Sequence, residues 1–244
     1  MTQYSRLVGW WAHRVTIVRF GLRADSCTDV LIEDYYYCAG DDAIAIKSGW
    51  NIAGVLAGKP SRNITIRNSV ADCRGGWTIG SEAAGGVKDV VFENLVSTAE
   101  SGIRISAELG RGGFVHNVSF RNLTFSWDHL LKKTFLFEVT QDYPNGGTNP
   151  PCVGCRIPRL SANQTVPDFD GITFRDITVT RAPRGLRMGT INCSVAACHS
   201  ITLDNIHVLG ESTSPPLSLS CTNVHGEQHN VANAIGQCTI PAQS

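Results

Sequence analysis

Asn63-Ile-Thr-Ile-Arg-Asn68 reads apolar, variable, apolar, polar, then Asn. The same pattern returns at Asp29-Val-Leu-Ile-Glu-Asp34, Asp89-Val-Val-Phe-Glu-Asn94, Asn117-Val-Ser-Phe-Arg-Asn122, Gly171-Ile-Thr-Phe-Arg-Asp176 and Ser200-Ile-Thr-Leu-Asp-Asn205. Alternation with a period of two is the signature of a half-buried strand, and the closing Asn or Asp reads as a polar stop. The first apolar positions, Val30, Ile64, Val90, Val118, Ile172 and Ile201, are separated by 34, 26, 28, 54 and 29 residues. The long interval is close to double the others, so one unit is expected to be skipped around Leu136. A second strand-like segment follows most of the first ones, at Ile44-Ala-Ile46, Trp77-Thr-Ile79, Ile103-Arg-Ile105, Leu186-Arg-Met188 and Leu217-Ser-Leu219. Two short strands in every period of about 27 residues is what a right-handed parallel β-helix needs, with each coil stacked on the next. The spacing excludes a leucine-rich-repeat horseshoe. Inward Ile, Val, Leu and Phe are expected to form continuous stacks, and the repeated Asn and Asp at turn positions to hydrogen-bond backbone along a ladder.

The composition agrees with an all-β chain. Glycine is frequent (24) and Met scarce (2) over 244 residues, which favours strands and turns over helices. Lys+Arg and Asp+Glu are both 21, so no net field draws the chain to nucleic acid or anionic lipid. No apolar run reaches the roughly 18 residues of a membrane span. The reading is one β-helix domain over residues 1–244, expected to be monomeric. Residues 140–168 break the rhythm with Pro144, Gly146, Gly147, Pro150, Pro151, Cys152 and Cys155, and read as an inserted loop stapled by cysteine; residues 221–244 read as an irregular tail.

Nine cysteines point to an oxidising compartment and several disulfides, with one thiol left over. Secretion is therefore expected, yet Met1 to Val15 has no apolar core of the kind an export signal requires, so any such signal would lie upstream.

Few acids stand where chemistry can use them. Gly40-Asp41-Asp42 places adjacent carboxylates at the entrance to a strand, where like charges push at least one pKa upward and split an acid from a base. Strand neighbours point to opposite faces, so both acids serve one site only if the chain turns, which Gly40 permits. The alternative is a solvated turn.

The residues around this pair carry a resemblance. Asp25-Ser-Cys27 with Asp29-Val-Leu-Ile-Glu-Asp34, then Cys38-Ala-Gly-Asp41-Asp42-Ala-Ile-Ala-Ile-Lys47-Ser-Gly-Trp50, resembles glycoside hydrolase family 28, the polygalacturonases, especially the plant-type branch. Ile79-Gly-Ser-Glu82, Gly85-Gly-Val87, Gly102-Ile-Arg104-Ile105 and Gly110-Arg-Gly-Gly113 continue the match in order. The resemblance implies a pectin-lyase-like solenoid, no cofactor or metal, a pectic polysaccharide partner (polygalacturonate or rhamnogalacturonan), and a secreted or cell-wall location. It implies inverting hydrolysis of galacturonosyl links, with Asp41 as general acid, Asp42 as a carboxylate activating water, and Arg104 pairing with a galacturonate carboxylate.

Three positions depart from the family pattern. Val18-Arg19-Phe20-Gly21 stands where a further aspartate is expected, Ser106 replaces a lysine two residues after Arg104, and Arg74-Gly75-Gly76 replaces a Gly-His-Gly. The strand-like Val15-Thr-Ile17 lies 15 residues before Val30, about ten short of the coil length. Relatives carry further coils before the catalytic block, whereas about 24 residues precede it here, so that end of the solenoid is expected to lack a cap and the isolated chain to fold poorly. Two further readings stay open: a β-helix that binds pectic polymer without turning it over, and a calcium-dependent lyase, which would require a cluster of acids. Trp50 and Trp77 are candidate sugar-stacking rings. Cys221, His225 and His229, like Cys152 and Cys155, have ligand-like spacing for zinc, but disulfide or structural use is favoured. Arg67, Glu93 and Arg121 recur at one repeat position and read as an outer face.

Overall fold

A computed structural model describes residues 5–8, 21–127, 134–143, 166–182, 186–193, 196, 198–209 and 219–231. In chain order the first strands are β1 (Ser5–Val8), β2 (Leu22–Asp25), β3 (Thr28–Glu33), β4 (Tyr36–Ala39) and β5 (Ile44–Lys47), followed by the seven-residue helix α1 (Asn51–Ala57). Then come β6 (Ser61–Cys73), β7 (Trp77–Gly80), β8 (Val87–Ser97), β9 (Ser101–Ser106), β10 (Phe114–Ser126) and β11 (Phe135–Thr140). The last are β12 (Asp168–Arg181), β13 (Arg187–Asn192), β14 (Cys198–Val208), β15 (Leu219–Thr222) and β16 (Val224–Val231).

These strands form two parallel sheets. One runs β1-β3-β6-β8-β10-β12-β14-β16, with β4 beside the second half of β6; the other runs β2-β5-β7-β9-β11-β13-β15. Successive strands of one sheet alternate in the chain with those of the other, which is the path of a right-handed parallel β-helix.

Apolar side chains from both sheets fill the space between them. Phe92, Phe120 and Phe174 occupy one register position in consecutive coils and stack with ring centroids 4.5 and 5.4 Å apart. Phe137 of β11 meets Phe174 edge-on at 4.9 Å, joining the sheets. Each of these four rings is fully buried, worth about 1.5–3 kcal/mol apiece in area terms.

The polar residues that end five of the six repeats do not stop the strands; only at Asp34 does the strand break, between β3 and β4. Asn68, Asn94, Asn122, Asp176 and Asn205 adopt left-handed backbone with φ between 51 and 55°, and the strand bends there and continues. The residue opening each repeat, such as Asn63, Asp89 and Asn117, is left-handed as well. Asn and Asp tolerate that region better than other residues with a Cβ, which is why they recur at both ends of the pattern. Their side chains bond one another rather than the backbone: Asn94 Nδ2 donates to Asn68 Oδ1 (3.2 Å), Asn122 to Asn94 (2.7 Å), and Asn205 to Asp176 (2.6 Å). The outer charges also form a ladder, with Arg67 on Glu33 (2.7 Å), Arg121 on Glu93 (2.6 Å) and Arg175 on Asp204 (2.9 Å).

The register corrects three expectations. β10 pairs directly with β12, Val118 opposite Ile172, so no coil is skipped; a single coil is lengthened between β11 and β12. Leu136 belongs to β11, the second-sheet strand of that coil. At the front, β1 pairs with β3 with Ser5 opposite Val30, and the 25-residue interval is a full coil; Val15 to Ile17 lies outside the described residues. At the other end the pattern does not fade: residues 219–231 form β15 and β16, while 232–244, like the cysteine-bearing segment 144–165, lie outside the described residues.

Disulfides join Cys38 to Cys73 and Cys193 to Cys198, Cys221 is also disulfide-bonded, and Cys27 is the free thiol among the described residues.

Candidate active site

Asp41 and Asp42 lie at the corner between β4 and β5, and the coil above fixes that corner. Cys38 of β4 is tied to Cys73 at the end of β6. Ala43 N donates to Gly76 O at 3.0 Å, and Asp42 N donates to Asp41 Oδ1 at 2.9 Å. A Cβ on Gly75 would sit 1.8 Å from Asp41 O and 2.4 Å from Asp42 Cα, so only glycine lets the chain pass this close. From the opposite side Gly21 also approaches closely, its Cβ position 2.2 Å from Asp42 O.

The turn aims both carboxylates into one hollow of about 290 Å³, lined also by Arg74, Glu100, Arg104 and Tyr143. Asp41 is the more exposed of the two and accepts from Arg23 Nη2 at 3.3 Å. Asp42 is largely buried, with Arg104 Nη1 3.5 Å from its Oδ1. Burial pushes the Asp42 pKa above the ordinary carboxylate value, against the pull of Arg104 and a hydrogen bond from Thr78; the charge of Asp41 adds to the rise.

Arg104 projects from β9, in register with Thr78 of β7 and Glu138 of β11. Its Nε donates to Glu138 Oε2 at 2.5 Å, and its guanidinium lies over the rings of Phe135 (5.2 Å) and Tyr143 (5.8 Å). Burial works against that charge, but Glu138 and then Asp42 more than restore it, so the Arg104 pKa is raised. The arrangement has two carboxylates facing one hollow, one of them inclined to hold a proton, beside a cation: the parts of an acid–base site for an acidic, hydroxylated substrate.

Asp41, Asp42 and Arg104 are thus brought together. Val18 to Phe20, where a further carboxylate was expected, lie outside the described residues. Ser106 is buried, in register with Gly80 and Thr140. Trp77 is wholly inside the core and is no sugar platform; Trp50 is exposed but does not line this hollow and carries Arg111 over its ring at 5.4 Å. Buried Arg111 also reaches Ser81 Oγ (2.8 Å) and Glu108 (2.7 Å), and Lys47 bonds Glu82 and Gly80 O (3.0 Å), so these motif residues brace neighbouring turns. His225 and His229 stand on β16, the first stacked on His199 at 5.5 Å and the second 3.3 Å from Glu227. Among the described residues the one trio of possible metal-ligating side chains is Cys38, Asp72 and Cys73, and the disulfide occupies both thiols.

Sequence reasoning missed Glu138 and Tyr143. The signal is present in Phe137-Glu-Val139, which repeats the form of Ile103-Arg-Ile105, but the doubled interval between Val118 and Ile172 counts the coil containing it as skipped.

The family model for glycosyl hydrolases family 28 matches residues 21–234. A probable polygalacturonase of Vitis vinifera is 30% identical over 209 residues, covering 84% of this chain and 39% of the relative. Endopolygalacturonase B of Aspergillus niger is 29% identical over 189 residues, covering 75% and 43%. A polygalacturonase from Erwinia carotovora superposes with a TM-score of 0.59 at 23% identity, over 85% of this chain and 46% of that one. The chain therefore spans less than half the length of these relatives.

Proposed function

Because the chain belongs to glycosyl hydrolase family 28, we propose that it hydrolyses galacturonosyl links in pectic polysaccharide with inversion, at the corner formed by Asp41 and Asp42. Asp41 protonates the leaving oxygen, Asp42 activates water on the opposite face, and Arg104 holds a sugar carboxylate. The observation that carries the reading is that Asp41, Asp42 and Arg104 line one hollow, although they come from two different coils. Burial raises the Asp42 pKa, the direction a proton donor needs, and so supports a variant of the same scheme in which the two aspartates exchange roles. Export to the cell wall fits the disulfides, which persist in oxidising compartments.

A second reading, binding of pectic polymer without turnover, is supported by Val18-Arg19-Phe20-Gly21 standing where a further water-activating aspartate is expected. Release of reducing ends from polygalacturonate, insensitive to chelator, is expected of the hydrolase. Retention on a pectin column with no release of reducing ends would replace it with the binding reading.

A further inference from the structure

The groove continues beyond Arg104. Tyr143 lines the hollow at the aspartates and also a second hollow of about 240 Å³ on β11, β13 and β15. Two rows of register-matched side chains form its floor: Glu138, Thr190 and Ser220 in one, Thr140, Asn192 and Thr222 in the other. Asp142 completes the lining, and no Lys, Arg or His is among the described residues that line it. Arg104, the cation in register beside it, is engaged on this side by Glu138 through Nε and on the other by Asp42.

The chemistry of this hollow is one-sided. Hydroxyl and amide groups repeat at the coil spacing of roughly 4.8 Å, a separation suited to bridging adjacent hydroxyls of a sugar ring. Glu138 and Asp142 accept hydrogen bonds from such hydroxyls strongly, because they are charged. A uronate carboxylate in the same place would face two like charges with no cation among the described lining residues to receive it, and a mismatch of that kind rejects a ligand as effectively as a clash.

We propose that this second hollow binds an uncharged pyranose, either a neutral sugar or a methyl-esterified uronate, next to the sugar held at Asp41 and Asp42. The inference rests on the reading of the site as one for pectic polymer, and names which polymer it takes: one whose acidic residues are interrupted by uncharged ones.

The test is isothermal titration of the whole chain with three probes: trigalacturonate, trigalacturonate carrying one methyl ester, and a tetrasaccharide alternating rhamnose with galacturonate. At least one of the latter two is expected to bind ten or more times more tightly than trigalacturonate, and which one does so identifies ester or neutral sugar as the source. The double variant E138Q/D142N is expected to bring that ratio close to one. Binding of trigalacturonate as tightly as both other probes by the unaltered chain overturns the inference while leaving the pectic reading intact, as does a ratio unmoved in a folded double variant. Failure of all three to bind at millimolar concentration overturns both.

Discussion

Glu138 stands opposite Arg104 in the parallel register of β11 and β9, and its carboxylate accepts from Arg104 Nε at 2.5 Å. The residue proposed to hold a sugar carboxylate is therefore held by a protein carboxylate from the next coil. Removing Glu138's charge should free the guanidinium: Glu138→Gln is expected to tighten trigalacturonate several-fold in the same titration, and unaltered or weaker binding would show that Arg104 does not receive the uronate.

Asp41→Asn and Asp42→Asn are each expected to lower reducing-end release by about 10²–10⁴-fold, the usual share of a positioned acid or base. The variant that loses the alkaline limb of the pH–rate profile, and not the acidic one, identifies the proton donor. Turnover within threefold of the parent in either variant removes that residue from the mechanism.

The raised pKa of Asp42 makes ionisation of this group costly to the folded state. Its folded pKa exceeds the unfolded one, so the stability linked to its proton is fully present below the ordinary value of 3.8 and is lost as pH rises through the folded pKa. Asp42→Asn should accordingly raise the melting temperature at pH 7 and leave it nearly unchanged at pH 3.5. A stabilisation equal at both pH values would trace the effect to something other than the buried charge.

Gly75→Ala places a methyl group against the backbone of Asp41. Because the obstacle is main chain and not a side chain that can swing aside, the corner must move, and activity should fall at least tenfold even where far-UV circular dichroism is retained. Activity equal to that of the parent would mean that the corner tolerates displacement.

Phe120 is sandwiched between Phe92 and Phe174 and is fully buried. Phe120→Ala is expected to cost about 3–5 kcal/mol, measured by urea unfolding, from the lost transfer energy and the cavity left between coils. A cost below about 1 kcal/mol would show that the neighbouring coils collapse onto the gap.

The amino-acid sequence by itself determined the β-helix, because stacked coils write the same apolar alternation into the chain again and again; the aspartate pair and Arg104 were marked by motifs that resemble family 28, not by that alternation. Asn63 to Asn68 and its five counterparts carry that information locally: each inward position is apolar whatever lies elsewhere. Asn68 looked like the end of a strand because its type marks left-handed backbone, and only the fold shows that such a residue bends a strand without ending it. Whether Phe137-Glu-Val139 counts as a missing unit or as the second strand of a lengthened coil depends on which strand lies beside β10, and that is decided by hydrogen bonds between residues 54 apart, Val118 and Ile172. The ion pair between Arg104 and Glu138, the rejection of Trp77 into the core, and the hollow beyond Tyr143, whose described lining carries no cation, depend on the same register. Periodicity along one chain fixes which residues face inward; which residues face each other is set only when the coils stack.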